Sequence, residues 1–110
     1  MTTENHEVIF AIVNAGFAEE AMNVARKQGA RGGTILNARG VAREKEAAFF
    51  GITIHADKEI LLLVVEKRER DRILNALYTE MGMEKKAQGI AFSLPVSDVA
   101  GLAAPVEEKK

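Results

Sequence analysis

The sequence predicts an α+β fold in which one antiparallel sheet carries both of its helices on a single face. Three observations predict it. The 110 residues suffice for a single domain, strand-like and helix-like segments alternate along the chain, and the strand-like segments are short. We therefore expect one domain over residues 1–110, with flexible ends at residues 1–6 and 103–110.

The first half of the chain contains a strand, a helix and a second strand. Residues 8–13 read VIFAIV, a continuous apolar run that is typical of a buried strand. Apolar residues recur at helical spacing over residues 17–28, with acidic residues in the first turn and basic residues in the last, as the helix dipole favours. Gly29 is a suitable stop for this helix. Residues 33–38 are predicted to form the second strand.

The second half contains two strands joined by a short turn at residues 56–58, then a long helix and a last strand. These segments are residues 49–55, 59–66, 67–83 and 89–96. Gly82 is predicted to end the long helix, and residues 97–102 to add one more helical turn. The segments number five strands and two helices, and we assign them to the order β-α-β-β-α-β with a hairpin in the middle, the ferredoxin-like arrangement, which has one strand fewer.

Two of the predicted strands are apolar on both faces. A strand with one exposed face alternates apolar and polar residues, but VIFAIV and ILLLVV do not. The helices cover only one face of such a sheet, and each large apolar side chain left in water forgoes about 1.5–3 kcal/mol. The second face is therefore predicted to be buried against other subunits. The alternative is that the C-terminal segment folds over it.

Composition excludes several functional classes. The net charge of −1 does not favour nucleic acid or an anionic membrane as a partner. The chain has no cysteine and only two histidines, so we expect no metal site. Neither a signal peptide nor an apolar run long enough to cross a bilayer is visible. These features lead us to expect a cytoplasmic protein.

No catalytic constellation is evident in the sequence. No Ser-His-Asp or Cys-His arrangement can be assembled from the residues present. Glu44 and Glu46 form an acidic pair, but they lie in a loop with as many basic as acidic side chains and no apolar pocket to raise a carboxyl pKa. We therefore expect that the protein is not an enzyme.

Two charged loops are candidates for binding an anion. The segment RGVAREK carries Arg39, Arg43 and Lys45 around a glycine, and the segment MEKKAQG carries Lys85 and Lys86. Glycine lets backbone N–H groups approach a phosphate, and arginine provides bidentate contacts. Taken alone, each segment is more consistent with a solvated charged loop than with an anion site, because charged side chains are usually exposed.

The motifs in these loops resemble those of a known family. The stretch GARGGTILNARGVAREK is similar to the segment that leads into the long T-loop of PII-type nitrogen regulatory proteins, and QGIAFSLPV resembles the last strand of that family. The resemblance covers roughly residues 6 to 100. The matching positions of the first motif are Gly29, Arg31, Gly32, Thr34, Arg39, Gly40, Arg43 and Lys45.

The resemblance implies a homotrimer whose sheets face one another around a central axis. It also implies that an adenine-type nucleotide (ATP, ADP, AMP or a cyclic nucleotide) binds between subunits as an effector, with no cofactor required. The implied nucleotide-binding residues are Gly33, Thr34, Gly40, Val41, Arg43, Val64, Lys85 and Gly89. The implied T-loop, which would contact a target protein such as a membrane transporter, includes Arg39, Glu44, Lys45, Glu46 and Phe49.

The sequence departs from the family pattern at several charged positions. Glu44 stands where classical members have a glutamine that helps hold Mg-ATP and 2-oxoglutarate, and a carboxylate there would repel both anions. The T-loop is several residues shorter, and the C-terminal pair of arginines that clamps phosphates is absent. Losing such charge-assisted hydrogen bonds, worth about 1.5–3 kcal/mol each, weakens triphosphate binding. The sequence thus resembles a divergent member.

Two other functions fit the same fold. One is a ferredoxin-like oligomer, similar to CutA-like or ACT-like proteins, that binds a metal or an amino acid and no nucleotide. The other is a trimer that acts only through protein contacts. The scarcity of histidine and the lack of cysteine count against soft metals in the first of these.

Overall fold

The computed structural model describes residues 5–41 and 56–101, and it confirms the order β-α-β-β-α-β within them. The six elements are β1 (His6–Asn14), α1 (Ala18–Lys27), β2 (Thr34–Gly40), β3 (Ala56–Glu66), α2 (Lys67–Met81) and β4 (Ile90–Pro95).

The strands form one sheet in the order β2-β3-β1-β4, and every neighbouring pair is antiparallel. Strand β1 therefore lies inside the sheet, between β3 and β4. Phe10 at its middle faces Leu62 on one side and Phe92 on the other. This order and the two helices confirm the predicted ferredoxin-like α+β class.

Residues 56–58 are not the turn that the sequence suggests. They are the first residues of β3, and they pair with the last residues of β2, so that Lys58 faces Ala38 and Asp57 faces Arg39. Small and charged residues at a strand end resemble a turn locally, but pairing with a distant strand satisfies their backbone groups. The predicted strand over residues 49–55 lies outside the described residues. Residues 59–62, where its predicted hairpin partner begins, pair instead with β2 on one side and β1 on the other.

The predicted helical turn after β4 is wrong for residues 97–101, which contain no helix. Gly101 there has a φ of +95°, outside the range of a right-handed helix. The rest of that segment, and the predicted flexible ends at residues 1–4 and 103–110, lie outside the described residues. The long helix ends at Met81, and Gly82 follows it as predicted.

The core lies between the sheet and the two helices. Alternate residues of β1 point into it and are buried, and Leu61, Leu63 and Val65 of β3 meet them there. Helix α2 contributes an apolar stripe at a spacing of four residues, as one face of an α-helix requires. The largest fully buried side chains are Ile9, Val13, Leu61, Leu63, Ile73 and Met81.

Helix α1 takes its cap from a distant strand. Its N-cap residue, Phe17, makes no side-chain capping bond. Instead, Oε1 of Glu59 in β3 accepts hydrogen bonds from the backbone N–H groups of Gly16 and Ala18, each 3.0 Å long. Because the first N–H groups of a helix have no partner inside it, the Glu59 carboxylate fixes where α1 begins and stabilises its dipole.

The C-terminus of α1 is held by α2. The Arg72 guanidinium donates to the Gln28 carbonyl oxygen through Nε at 3.0 Å and Nη2 at 2.7 Å. Gly29 follows with a φ of +113°, a left-handed conformation that glycine adopts without steric cost. A cation at a helix C-terminus is stabilising. The direction in which the chain leaves α1 is therefore set by a side chain of α2.

The first turn of α2 carries its own cap and a partly buried ion pair. Glu66 and Glu69 form a capping box. Arg70 Nη1 donates to Oε2 of Glu7, a buried residue on β1, at 2.9 Å. Hydrogen bonds to Asp71 and Glu7 raise the pKa of the Arg70 guanidinium. The buried carboxylate therefore has a permanently charged partner.

We expect Glu59→Ala to destabilise the protein by about 1–2 kcal/mol, because two donors at the start of α1 lose their acceptor. This should lower Tm by about 4–8 °C per kcal/mol in a domain of this size. Glu59→Gln keeps an acceptor oxygen and should lose less. Thermal unfolding of both variants, beside the exposed control Glu80→Ala, tests this. Equal Tm values for Glu59→Ala and the control would contradict the capping role.

Candidate functional site

The sheet face opposite the helices is apolar and uncovered in the single chain. The register places three residues each of β3, β1 and β4 in adjacent rows on this face. They are Ile60, Leu62, Val64, Val8, Phe10, Ile12, Ile90, Phe92 and Leu94. The structure therefore confirms that residues 8–13 of β1 and 60–65 of β3 are apolar on both faces.

The centre of this open face is already ordered. The rings of Phe10 and Phe92 stack with centroids 5.3 Å apart and planes inclined by 12°. Even so, Phe92 is 42% exposed and Ile90 is 53% exposed. Val64 and Leu94 are exposed as well, and the other five side chains of this face are half-buried. Contiguous apolar surface of this kind is typical of a contact with another molecule.

A first cavity, of about 380 Å³, lies where the segment between α1 and β2 approaches β3. Three of the sequence-predicted binding residues line it: Gly33, Thr34 and Val64. Its wall also includes Arg31, which the sequence analysis placed in a motif but not in the site, and Glu69, which it did not single out. The position of Arg31 between glycines was the signal that could have identified it.

Gly33 is required at this cavity because β3 passes very close to it. A Cβ atom at this position would lie 2.6 Å from Leu63 Cδ2 and 3.0 Å from the Leu62 carbonyl oxygen. Real Cβ atoms essentially never show the first of these distances, so a side chain here would have to displace the buried Leu63 side chain or move the segment away from β3. At the neighbouring Gly32 a Cβ would meet no atom within 4 Å.

The carboxylates at this cavity are already engaged. Glu66 caps the first turn of α2 and also accepts from Arg68 Nε at 2.6 Å, while Glu69 accepts from the Glu66 backbone N–H at 3.2 Å. Arg31 is exposed, and no ion pair joins it to another residue within the part of the chain that the structure describes. It is therefore able to receive an anionic group.

A second candidate region is the loop between α2 and β4, which carries Lys85 and Gly89. Its backbone folds tightly on itself: the Gly89 N–H donates to the Met81 carbonyl at 2.7 Å and the Gln88 N–H to the Lys85 carbonyl at 3.0 Å. Lys85 is exposed. The loop forms one wall of a groove of about 680 Å³ beside α2 and β4.

Two backbone positions in this loop restrict which residues can occupy them. Gln88 has a φ of +49°, a left-handed conformation that is uncommon for residues other than glycine. A Cβ at Gly89 would lie 2.5 Å from the Met81 carbonyl oxygen, so the tight return of the chain depends on glycine there. The loop is thus a fixed shape held by short backbone bonds.

The end of β2 lies at the same end of the sheet as this loop. Gly40 faces Ala56 at the start of β3, and Asn14, the last residue of β1, faces Lys58 there. Arg39 and Val41 flank Gly40 and are exposed. The predicted residues Arg43, Glu44, Lys45, Glu46 and Phe49 lie outside the described residues.

The predicted binding residues therefore form two groups that are far apart in one chain. The cavity with Gly33 and Val64 is at the end of the sheet where β1 begins and β3 ends, whereas the loop with Lys85 and Gly89 is where β1 ends. Val64 is level with Val8 and Thr34 with Phe10, whereas the loop is bonded to Asn14, so the two groups lie roughly 13–20 Å apart along the strand. One subunit therefore carries them as two separate groups.

No group of three or more His, Cys, Asp or Glu residues within the described parts of the chain is arranged to hold a metal ion. Neither of the two described helices has the length and apolar character needed to cross a membrane.

Comparison with known proteins identifies the family. The sequence model of the family described as Nitrogen regulatory protein P-II matches residues 6–104. The chain therefore belongs to the P-II family, as the motifs indicated. Members of this family are generally non-enzymatic signalling proteins. No curated protein matches the sequence.

Three solved structures share the fold. PII of Arabidopsis thaliana bound to citrate is 23% identical, with 91% of this chain and 82% of that chain covered and a TM-score of 0.66. A putative PII-like signalling protein of Thermus thermophilus is 20% identical, with coverages of 90% and 94% and a TM-score of 0.67. CPII of Thiomonas intermedia, a nitrogen regulatory PII-like protein bound to ADP, AMP and bicarbonate, is 12% identical, with coverages of 88% and 96% and a TM-score of 0.64.

We expect Gly33→Ala to destabilise the protein by about 1–3 kcal/mol, because the added methyl group overpacks the contact with β3. Gly32→Ala is the matched control, since it adds the same group in open space and should change stability by less than about 1 kcal/mol. Urea unfolding of both variants measures the difference. Equal unfolding free energies would show that the close approach of Gly33 to β3 does not constrain the cavity.

Proposed function

We propose that this protein is a non-enzymatic signalling protein that forms a homotrimer, binds an adenine-type nucleotide between its subunits and regulates a target protein. The observation that carries the proposal is the separation of the two groups of binding residues. Each chain carries one of the two groups at each end of its sheet. A neighbouring subunit can bring its loop group next to the cavity group, so that the two together form one site.

The open sheet face supports the oligomer. The nine large apolar side chains of this face are half-buried or exposed in the single chain, and covering the rest of their surface favours association by about 25 cal/mol per Å². In a closed ring, every copy of the interface is in contact with a neighbouring subunit. In a trimer whose sheets face a central axis, as the family resemblance implies, three copies of this face cover one another.

The charges of the two groups support a nucleotide as the ligand. The 380 Å³ cavity offers the apolar Val64, the Thr34 hydroxyl and the exposed Arg31. The loop between α2 and β4 offers Lys85 and Lys86 on a backbone that turns through glycine. An apolar cleft with few charged groups suits a base and a sugar, and lysines beside a glycine turn suit phosphate.

A nucleotide with one or two phosphates fits better than a triphosphate. The chain lacks the C-terminal arginine pair of classical members, and Glu44 adds a negative charge near the expected phosphates. The similar Thiomonas protein was crystallised with ADP, AMP and bicarbonate. AMP and ADP are therefore the first candidates, followed by cyclic nucleotides, and such ligands imply a cytoplasmic location.

The signal leaves the protein through the segment that follows Arg39 and includes Glu44 and Phe49. This segment connects β2 to β3 at the same end of the sheet as Lys85 and Gly89. A ligand shifts a loop between two states only by binding them with unequal affinity. Arg43 and Glu44 are the charged residues of this segment that the family resemblance places beside the ligand. The target is a protein, and a membrane transporter is the candidate that the family resemblance suggests.

We expect the protein in solution to have about three times the 12.0 kDa mass of one chain. Phe92→Asp should dissociate it, because a carboxylate in a desolvated interface is unpaired. Light scattering after size exclusion measures the mass. Tyr78→Asp is the matched control, since Tyr78 is 76% exposed on α2, on the other side of the sheet. A monomeric wild-type protein would contradict the assembly.

We expect calorimetric titration to detect binding of AMP or ADP to the trimer. Arg43→Ala should weaken that binding about tenfold or more, because a charge-assisted hydrogen bond is lost, and it should leave the trimer intact. Arg26→Ala is the control, since Arg26 is exposed on α1 and bonds to Asn23. The titration should include ATP, cyclic AMP and cyclic di-AMP, each with and without Mg²⁺.

Absence of binding across this set, with an intact trimer, would contradict nucleotide sensing. Stabilisation by an amino acid or a divalent metal in a thermal-shift assay, without any response to nucleotides, would instead favour the CutA-like or ACT-like alternative.

A further inference from the structure

Asn14, the last residue of β1, contacts two parts of the chain that are distant in sequence. Its side-chain Nδ2 donates to the Lys86 carbonyl oxygen at 2.9 Å, and its Oδ1 accepts from the Lys58 ammonium at 2.7 Å. An ammonium only donates and a carbonyl only accepts, so these partners determine which way the amide is oriented. Both ends of the amide are therefore used.

On one side, Asn14 anchors the loop between α2 and β4. Its backbone N–H donates to the Ala87 carbonyl at 2.9 Å, next to the bond from its side chain to Lys86. Oε1 of Gln88, the residue with positive φ, lies 3.5 Å from Asn14 Nδ2. One residue of the sheet thus holds three consecutive residues of the loop.

On the other side, the start of β3 is tied to the turn that follows Asn14. Lys58 faces Asn14 across the pair and donates to it. The Ala15 N–H donates to the Asp57 carbonyl at 3.0 Å, and Glu59 binds the N–H groups of Gly16 and Ala18. Three consecutive residues of β3 are therefore bonded to the segment from Asn14 to Ala18.

We propose that Asn14 is a positioning residue that fixes the loop from Gly82 to Gly89 on the sheet and, through Lys58, joins that loop to the first residues of β3. No hydrogen bond or ion pair that the structure gives for the described residues links Lys58 to the loop directly, so Asn14 is the connection between them. The functional consequence rests on the proposed nucleotide site. When a nucleotide binds at the loop, its effect is transmitted to the first residues of β3, where the segment after Arg39 rejoins the sheet.

Amide hydrogen exchange of the ligand-free protein tests the positioning role directly. The amides of Lys85, Gln88 and Gly89 report on the loop, because each donates within it. Those of Leu61 and Leu63, in the buried part of β3, report on the whole fold. Asn14→Ala should speed exchange of the loop amides about tenfold and leave the β3 amides unchanged. The reason is that the loop then opens without breaking the Asn14–Lys86 hydrogen bond, so the free energy of local opening is lower.

The link to Lys58 is tested by a double-mutant cycle. Lys58→Met should speed exchange of the Gln88 amide about threefold, although Lys58 has no bond to the loop, because Asn14 loses the partner that orients it. In the Asn14→Ala background the same change should have no further effect on Gln88. Equal effects of Lys58→Met in both backgrounds would overturn the link.

Two substitutions separate positioning from general destabilisation. Asn14→Asp keeps the acceptor for Lys58 but replaces the donor to Lys86 with an oxygen, so the loop amides should still exchange about tenfold faster. Asn75→Ala, at an exposed position of α2, should leave them unchanged. Unchanged loop exchange in Asn14→Ala, or equal acceleration of the Leu61 and Leu63 amides, would overturn the positioning role.

Titration with AMP and ADP tests the functional consequence separately. Asn14→Ala should raise the Kd about tenfold and Asn75→Ala should leave it unchanged. An unchanged Kd in Asn14→Ala, with faster loop exchange, would overturn the functional consequence alone. If the wild-type protein bound neither nucleotide, the proposed function would fail, and the exchange measurements would still decide whether Asn14 positions the loop.

Discussion

The structure depends on strand β1, which is apolar on both faces and lies inside the sheet. One face of it completes the core beneath the helices, with Ile9 and Val13 fully buried. The other face carries Phe10, stacked on Phe92, and remains open in the single chain. A central strand that is apolar on both faces stabilises the subunit through the face that packs under the helices. Its other face remains an apolar surface unless a further layer covers it. Folding, and the assembly proposed above, therefore rest on the same strand.

The length of β1 also accounts for the arrangement of the binding residues. The cavity with Gly33 lies near its first residue, and the loop with Gly89 is anchored at its last. One chain holds these two groups roughly 13–20 Å apart along the strand. In the proposal above a ligand contacts one group from each of two chains, which makes assembly a condition for function.

The end of the sheet near Asn14 differs in character from its apolar middle. There, Asn14, Lys58 and Glu59 are bonded to backbone groups or to one another, and each bond crosses between segments distant in sequence. Polar contacts of this kind hold loops in fixed positions where apolar packing is absent. They give the loop between α2 and β4 a rigid support beside the strand that leads back from the segment after Arg39.

The sequence by itself determined the order of the elements, the apolar character of both sheet faces and the family motifs, because periodicity and turn residues are local properties. Only the tertiary structure decided that residues 56–58 are strand, that Glu59 caps α1 and that Asn14 meets Lys58. It also decided that Arg31 joins Gly33 at a cavity. The contacts of Glu59 and Asn14 join residues 41, 43 and 44 positions apart, and residues 56–58 pair with the end of β2. Such contacts depend on strand register, which is set by the packing of the whole sheet.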